Sequence, residues 1–250
     1  MKLILSQILF LFFLPPLFLV FFSGCASEEK NLSTADGSFK YAKEFDDAER
    51  YDMALTKYAD VKNKFPYSNL AIEAEIAIAE VHYKRESFAE AQVSFQNFRD
   101  MHPKHPKIDY IIYKIAMSYY SQLPETFDRD LSTGNDAIYH FDELIKSYPH
   151  SEYLKDAKEK RDDVYQKLTE KELYVADFYF KQKKYAAALR RFEATLKKYS
   201  GLGFDPRAHL GAARAAKALE NSEKQKYHSH ILQTKYLQSD EARVAKLEEL

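Results

Sequence analysis

The chain has 250 residues, with 37 Lys and Arg set against 38 Asp and Glu and a formal charge of −1. That near-neutral balance, with both signs interspersed, is the pattern of solvated helix faces and excludes nucleic acid as a partner. One cysteine excludes a disulfide framework and a cysteine metal site, and the length supports a sizeable apolar core without them.

Met1 and Lys2 open the chain, and Leu3 to Phe22 run apolar with only Ser6 and Gln7 as interruptions. Ser23 and Gly24 then precede Cys25. A basic start, an apolar run and small residues before a cleavage point make a secretory signal, so residues 1–24 are predicted to be a signal peptide. Small residues before a lone cysteine also resemble the bacterial lipobox. That resemblance implies that Cys25 becomes the first residue and carries a diacylglycerol and an N-acyl chain, with no other cofactor. Several acyl chains, at about 0.8 kcal/mol per buried methylene, hold a protein on a membrane where one does not. Two other readings of the segment stand beside this one. Twenty apolar residues reach about 30 Å as a helix, the length of an uncleaved anchor, although Pro15-Pro16 argue against it. A buried core cysteine fits poorly with the Ser-, Glu- and Lys-rich stretch that follows. In lipoprotein sorting an aspartate after the cysteine signals inner-membrane retention; Ala26 stands there instead. The expected address is the outer membrane, periplasmic face, lipid-anchored. Residues 25–37 are expected to be the lipidated N-terminus and its tether.

Residues 38–250 are predicted to be all helical. No glycine lies between Gly37 and Gly134, so turns that need positive φ have almost no supply, while Ala, Glu, Lys and Leu abound. Pro66, Pro103, Pro106, Pro124, Pro149 and Pro206 fall between apolar-periodic segments and separate one helix from the next. Ser68 and Ser151 are placed to cap the helices that follow.

These punctuation marks repeat. Counting back from Pro66, Pro103, Pro149 and Ser200, an alanine stands twelve residues earlier and an aromatic eight earlier: Ala54 and Tyr58, Ala91 and Phe95, Ala137 and Phe141, Ala188 and Phe192. A second small residue lies twelve further back at Ala42, Ala79 and Ala176. Small side chains let two helices approach, and an aromatic one turn later fills the wedge beneath them. The order resembles the tetratricopeptide repeat. It predicts a superhelical solenoid of about five helix pairs, four from Phe39 to Ser200 and a degenerate fifth from Pro206 to about Gln238. In the third repeat Ala137 follows Ala116 by 21 residues, so nine are inserted, and Pro124 to Gly134 are expected to form a surface loop.

Read as a tetratricopeptide groove, the offsets that face the concave side fall on Phe39, Lys43, Tyr83, Tyr110, Tyr113 and Tyr120. Tyrosine offers broad apolar contact and a hydroxyl at little entropic cost, although any one of these rings could instead pack between repeats. Arg190 and Arg191 lie on a second helix, as docking charges or as solvated arginines. His102 and His105 lie in a proline-marked turn, and His228 and His230 on a late helix. Neither pair completes a metal site, and surface or turn positions are expected for all four. No nucleophile elbow or phosphate-binding glycine loop is present, so the chain is expected not to be an enzyme.

With His105-Pro106-Lys107-Ile108-Asp109-Tyr110 followed by Tyr113, the inserted Asp128-Arg129-Asp130, and Tyr148-Pro149-His150-Ser151-Glu152-Tyr153 with Asp156-Ala157 in this order, the chain resembles the BamD family of outer-membrane β-barrel assembly lipoproteins. Tyr174-Val175-Ala176 and Ala187-Ala188 to Arg191 fit that family's fourth repeat. The resemblance implies a non-catalytic scaffold. It would bind a BamA-like barrel-assembly protein and accessory lipoproteins, and receive unfolded outer-membrane protein precursors, with Arg129 and Arg191 among the contacts. A second expectation is another outer-membrane repeat lipoprotein, such as a pilotin that escorts a secretin.

Overall fold

The structure, a computed structural model, describes residues 31–250. The expected signal peptide, residues 1–24, and Cys25 lie outside the described residues. Among those described, eleven helices and no strand are found, and no helix is long and apolar enough to cross a membrane.

The first helix, α1 (Ala35–Asp47), starts where extended Thr34 accepts a hydrogen bond from the Gly37 N–H at 3.1 Å. This cap moves the start of the helical domain ahead of residue 38 and takes Ala35 to Gly37 out of the expected tether. Five antiparallel pairs follow: α1 with α2 (Tyr51–Lys64), α3 (Asn69–Lys84) with α4 (Phe88–Met101), and α5 (Ile108–Ser121) with α6 (Thr133–Ser147). Then α7 (Leu154–Lys181) pairs with α8 (Tyr185–Lys198), and α9 (Asp205–Ala218) with α10 (Ser222–Lys235). The chain is a tetratricopeptide-type solenoid. A short α11 (Asp240–Leu247), absent from the repeat pattern, packs Ala242 and Ala245 against Leu210 and Leu232 and covers the last pair.

The small-and-aromatic order sets the packing. Ala42, Ala54, Ala79, Ala91, Ala116, Ala137, Ala176 and Ala188 are all 0% exposed, and Tyr58, Phe95, Phe141 and Phe192 are at most 2% exposed. In the fifth pair a glycine does the work of the small residue. A Cβ on Gly211 would lie 2.4 Å from the Phe192 ring, so α9 approaches that ring more closely than alanine allows.

The connections within pairs correct the expectation about positive φ. Glu49, Glu86, Lys183 and Glu220 take it, at 56–61°. Each ends its helix in a Schellman turn, in which the next residue's N–H donates back to a carbonyl of the last turn: Arg50 to Phe45 (2.8 Å), Ser87 to His82 (2.9 Å), Lys184 to Tyr179 (2.9 Å) and Asn221 to Ala216 (3.0 Å). The hydrogen-bonded closure imposes the conformation without glycine, at about 1–2 kcal/mol for an L-residue. Glu86→Gly is therefore expected to raise stability by about 0.5–1 kcal/mol, because relief of that strain exceeds the extra chain entropy of glycine. An increase in the urea midpoint at constant slope is the measurement.

Between pairs, Ser68 caps α3 as expected, accepting from the Leu70 N–H at 3.2 Å. Ser151 accepts from the Tyr153 N–H at 3.3 Å, and α7 starts only at Leu154. It closes the turn leading into the helix rather than capping the helix. The third-repeat insertion is shorter than expected because Thr133 and Gly134 already belong to α6. There Gly134 is buried where a Cβ would come 3.0 Å from Val164. Leu131, 2% exposed, pins the connection to the core.

The 28 residues of α7 serve two cores. Ala157, Val164 and Leu168 pack with α5 and α6, whereas Leu173 and Ala176 pack with α8 and α9.

Candidate functional site: an aromatic face across α3, α5 and α7

One side of α5 buries Ile108, Ile111, Ile112, Ile115 and Ala116, which turns Tyr110, Tyr113 and Tyr120 toward the neighbouring first helices of each pair. The Tyr110 hydroxyl donates to Glu80 on α3, and its ring lies 5.3 Å from Tyr153. Tyr113 donates to Asp156 at 2.7 Å and stacks on Tyr153, with centroids 4.8 Å apart and planes 19° apart. Tyr120 donates to Asp163 at 2.9 Å. Two tyrosines seven residues apart on α5 thus meet two aspartates seven residues apart on α7, because two turns of each helix return to the same face.

The face continues onto α3. The Tyr83 hydroxyl shares a 3.2 Å hydrogen bond with Ser121, and the Lys114 ammonium sits 3.4 Å from the Tyr83 ring centroid. Burial pulls the Lys114 ammonium below its ordinary range, and Glu80 opposes that pull. Burial, followed by the Glu80 bond, raises the Tyr110 phenol; burial and Asp156 raise Tyr113 in the same way. Burial and the Asp163 bond push Tyr120 up to about 12. All three are neutral hydroxyl donors near neutral pH, already spent on carboxylates. What the face offers a ligand is half-buried ring surface with a cation set into it. Such a surface can bind an apolar or aromatic side chain and holds no group poised for covalent chemistry. Among the described residues, no group of three His, Cys, Asp or Glu could hold a metal.

The structure brings Tyr83, Tyr110, Tyr113 and Tyr120 onto one connected surface and spreads the other expected contacts elsewhere. Phe39 packs its ring 5.2 Å from Tyr58 in the first pair. Lys43 is exposed and pairs with Asp47 at 2.6 Å. Arg129 is exposed on the inserted connection, where its carbonyl accepts from Lys171 at 2.5 Å and the nearby Phe127 meets Tyr174 edge-on. Arg191 is exposed on α8 and pairs with Glu172 at 2.7 Å. Sequence reasoning quoted Tyr153 and Asp156 only within the family strings and gave neither of them, nor Lys114 and Asp163, a place on this face. It also missed Tyr174 and Phe178, four apart on α7 and each 51% exposed. His228 corrects a further expectation. It is 2% exposed rather than on the surface, and a 2.9 Å hydrogen bond joins its Nδ1 to Nδ1 of buried His209.

A family model described as "YfiO: Outer membrane lipoprotein" matches residues 33–231. Outer membrane protein assembly factor BamD of Caulobacter vibrioides is 25% identical over 186 residues, which are 74% of this chain and 61% of that protein. BamD of Neisseria meningitidis serogroup A is 28% identical over 159 residues, 60% of this chain and 59% of that protein. The chain therefore spans about three fifths of the length of these curated relatives. Among solved structures, Pseudomonas aeruginosa pilF is 14% identical, covers 87% of this chain and 83% of its own, and superposes with a TM-score of 0.38.

Proposed function

The chain belongs to the YfiO family of outer membrane lipoproteins, and on that premise we propose that it is an outer-membrane protein assembly factor, the role named for its BamD relatives. It acts as a non-catalytic scaffold. The concave face receives segments of unfolded outer-membrane protein precursors, while the rest of the solenoid holds a BamA-like barrel-assembly protein and accessory lipoproteins. Acyl chains at Cys25 tether it to the periplasmic face of the outer membrane.

The observation that carries this reading is the connected surface of Tyr83, Tyr110, Tyr113, Tyr120 and Tyr153 across α3, α5 and α7. Rings held by their own hydrogen bonds lose little freedom when a peptide side chain lands on them, so the receiving surface is preorganised. Lys43, Arg129 and Arg191, all exposed, serve as rim contacts for folded partners.

Replacing both Tyr113 and Tyr120 with alanine is expected to weaken binding of an aromatic-rich precursor peptide about tenfold or more. Replacing both with phenylalanine leaves the affinity within about threefold, because the rings and not the hydroxyls make the contact. Fluorescence titration on the folded fraction is the measurement, and unchanged affinity in the alanine pair removes the groove from the proposal. Purification of the protein from its own membranes is expected to bring down a BamA-like protein; recovery of a secretin in its place would overturn the assignment.

A further inference from the structure

Antiparallel pairing gives the first three repeats two edges. One is made of the connections within pairs, residues 46–53, 84–90 and 122–132. The other is made of the connections between pairs, residues 62–68, 101–108 and 146–155. Contacts across the second edge tie it together: Lys62 lies 3.7 Å from Glu75, Lys107 2.8 Å from Glu73, and His102 2.9 Å from Glu75. Because Phe39 faces Tyr58, α1 begins beside the end of α2. The chain therefore leaves the domain toward its N-terminus at this same edge.

The two edges differ in charge. Within pairs, nine acidic residues stand against four basic ones; between pairs, the connections themselves hold six lysines and Glu152, with Asp100 and Asp109 at their margins and Glu73 and Glu75 paired to Lys107 and Lys62. The interspersed charges of the linear sequence are thus sorted in space, since alternate turns fall on opposite edges. The lysine edge also carries the most exposed apolar side chain of these repeats, Tyr67 at 102%, with Met101 at 66%; Tyr139, on the outer side of α6, is exposed to the same extent as Met101. Lys64, Lys104, Lys146 and Lys155 are exposed beside them.

From the tether exit, the exposed apolar tips and the charge polarity together, we infer that the between-pair edge of the first three repeats is a membrane-contact surface that lies on anionic lipid headgroups. Cys25 stands ten residues before Ala35, so an anchor there holds this edge within about 35 Å of the bilayer. The inference rests on that anchoring for its place in the cell, but the edge acts independently of it. Tyrosine and methionine at the tips enter the interfacial layer, lysines gain from the negative surface potential, and the acidic edge is turned away by the same field.

The test uses the chain from residue 25 onward carrying Cys25→Ser, which keeps every described residue and removes the acyl chains. It is expected to sediment with vesicles of phosphatidylcholine mixed with phosphatidylglycerol, not with phosphatidylcholine alone, and to be released by salt. Lys64→Glu with Lys104→Glu and Tyr67→Ser is expected to weaken sedimentation at least about tenfold, while Arg50→Glu on the opposite edge, where Arg50 is exposed, leaves it unchanged. In the Cys25→Ser background no other thiol exists, so a polarity-sensitive fluorophore can be placed through Tyr67→Cys or Glu86→Cys. A blue shift on vesicle addition at position 67 alone supports the inference. Equal response at both positions, loss of binding in Arg50→Glu, or no sedimentation with the anionic vesicles overturns it. Failure of the anchor reading shows separately, as full-length Cys25→Ser protein that stays firmly in cell membranes.

Discussion

Replacing Phe95 with alanine is expected to cost about 3–5 kcal/mol of folding stability, the range for truncating a fully buried phenylalanine. Phe95 is 0% exposed in the core shared by α3, α4 and α5, with Ile111, Ile115 and Ala116 in the same cluster. Neighbours on several helices cannot all close on the space it leaves, so a cavity term adds to the lost transfer energy. Val93→Ala, two residues earlier on the same helix, is the internal control. Val93 is 51% exposed, and its truncation is expected to stay within about 0.5 kcal/mol. Urea unfolding of the two variants measures the contrast, and a loss below about 1 kcal/mol at Phe95 would mean that the repeat register is wrong.

Acid is expected to destabilise the last repeats through the buried imidazole pair. His209 on α9 and His228 on α10 face each other through Nδ1 atoms 2.9 Å apart, an arrangement that one proton between them satisfies and that two cationic rings cannot adopt. Burial, then the neighbouring His228 and Lys235, lowers His209 to about 4, with Asp205 pulling the other way. Burial lowers His228, Lys224 adds to that, and Glu193 opposes both. Both folded values lie below the ordinary histidine value of about 6.5, so the unfolded chain binds more protons between the two. Stability is fully present above about pH 6.5 and falls as the pH drops toward 4. His209 alone accounts for roughly 3 kcal/mol at 1.36 kcal/mol per unit, and His228 acts in the same direction. Thermal melts across this range should show the slope, and His209→Gln should flatten it. An unchanged slope in that variant would assign the acid loss to other groups.

The solenoid was legible because its determinants are local. A small residue and an aromatic at fixed spacing, with proline closing the unit, leave little choice about which faces meet, and all eight alanines and all four aromatics so placed are buried. The turns were less legible. Glu49 and Glu86 hold positive φ because a hydrogen-bonded helix end demands it, and no residue type announces that. Four groove tyrosines could be named from repeat offsets. Their partners Asp156 and Asp163 could not, because they lie 43 residues away on a helix whose length the pattern did not predict. The buried histidines escaped for a similar reason: nineteen residues separate them, and only the pairing of α9 with α10 makes neighbours of them.

The length of α7 has a mechanical consequence. Tyr113 and Tyr120 rest on the half of α7 that carries Asp156 and Asp163, while Arg191 pairs with Glu172 on the other half, so the proposed peptide and partner sites lie against one helix. Both halves are one uninterrupted helix of about 42 Å, with neither glycine nor proline from Ser151 to Ser200. Such a beam has no hinge to absorb a push. On the proposed function, a load at either end would be carried along one continuous helix and not taken up at a loop.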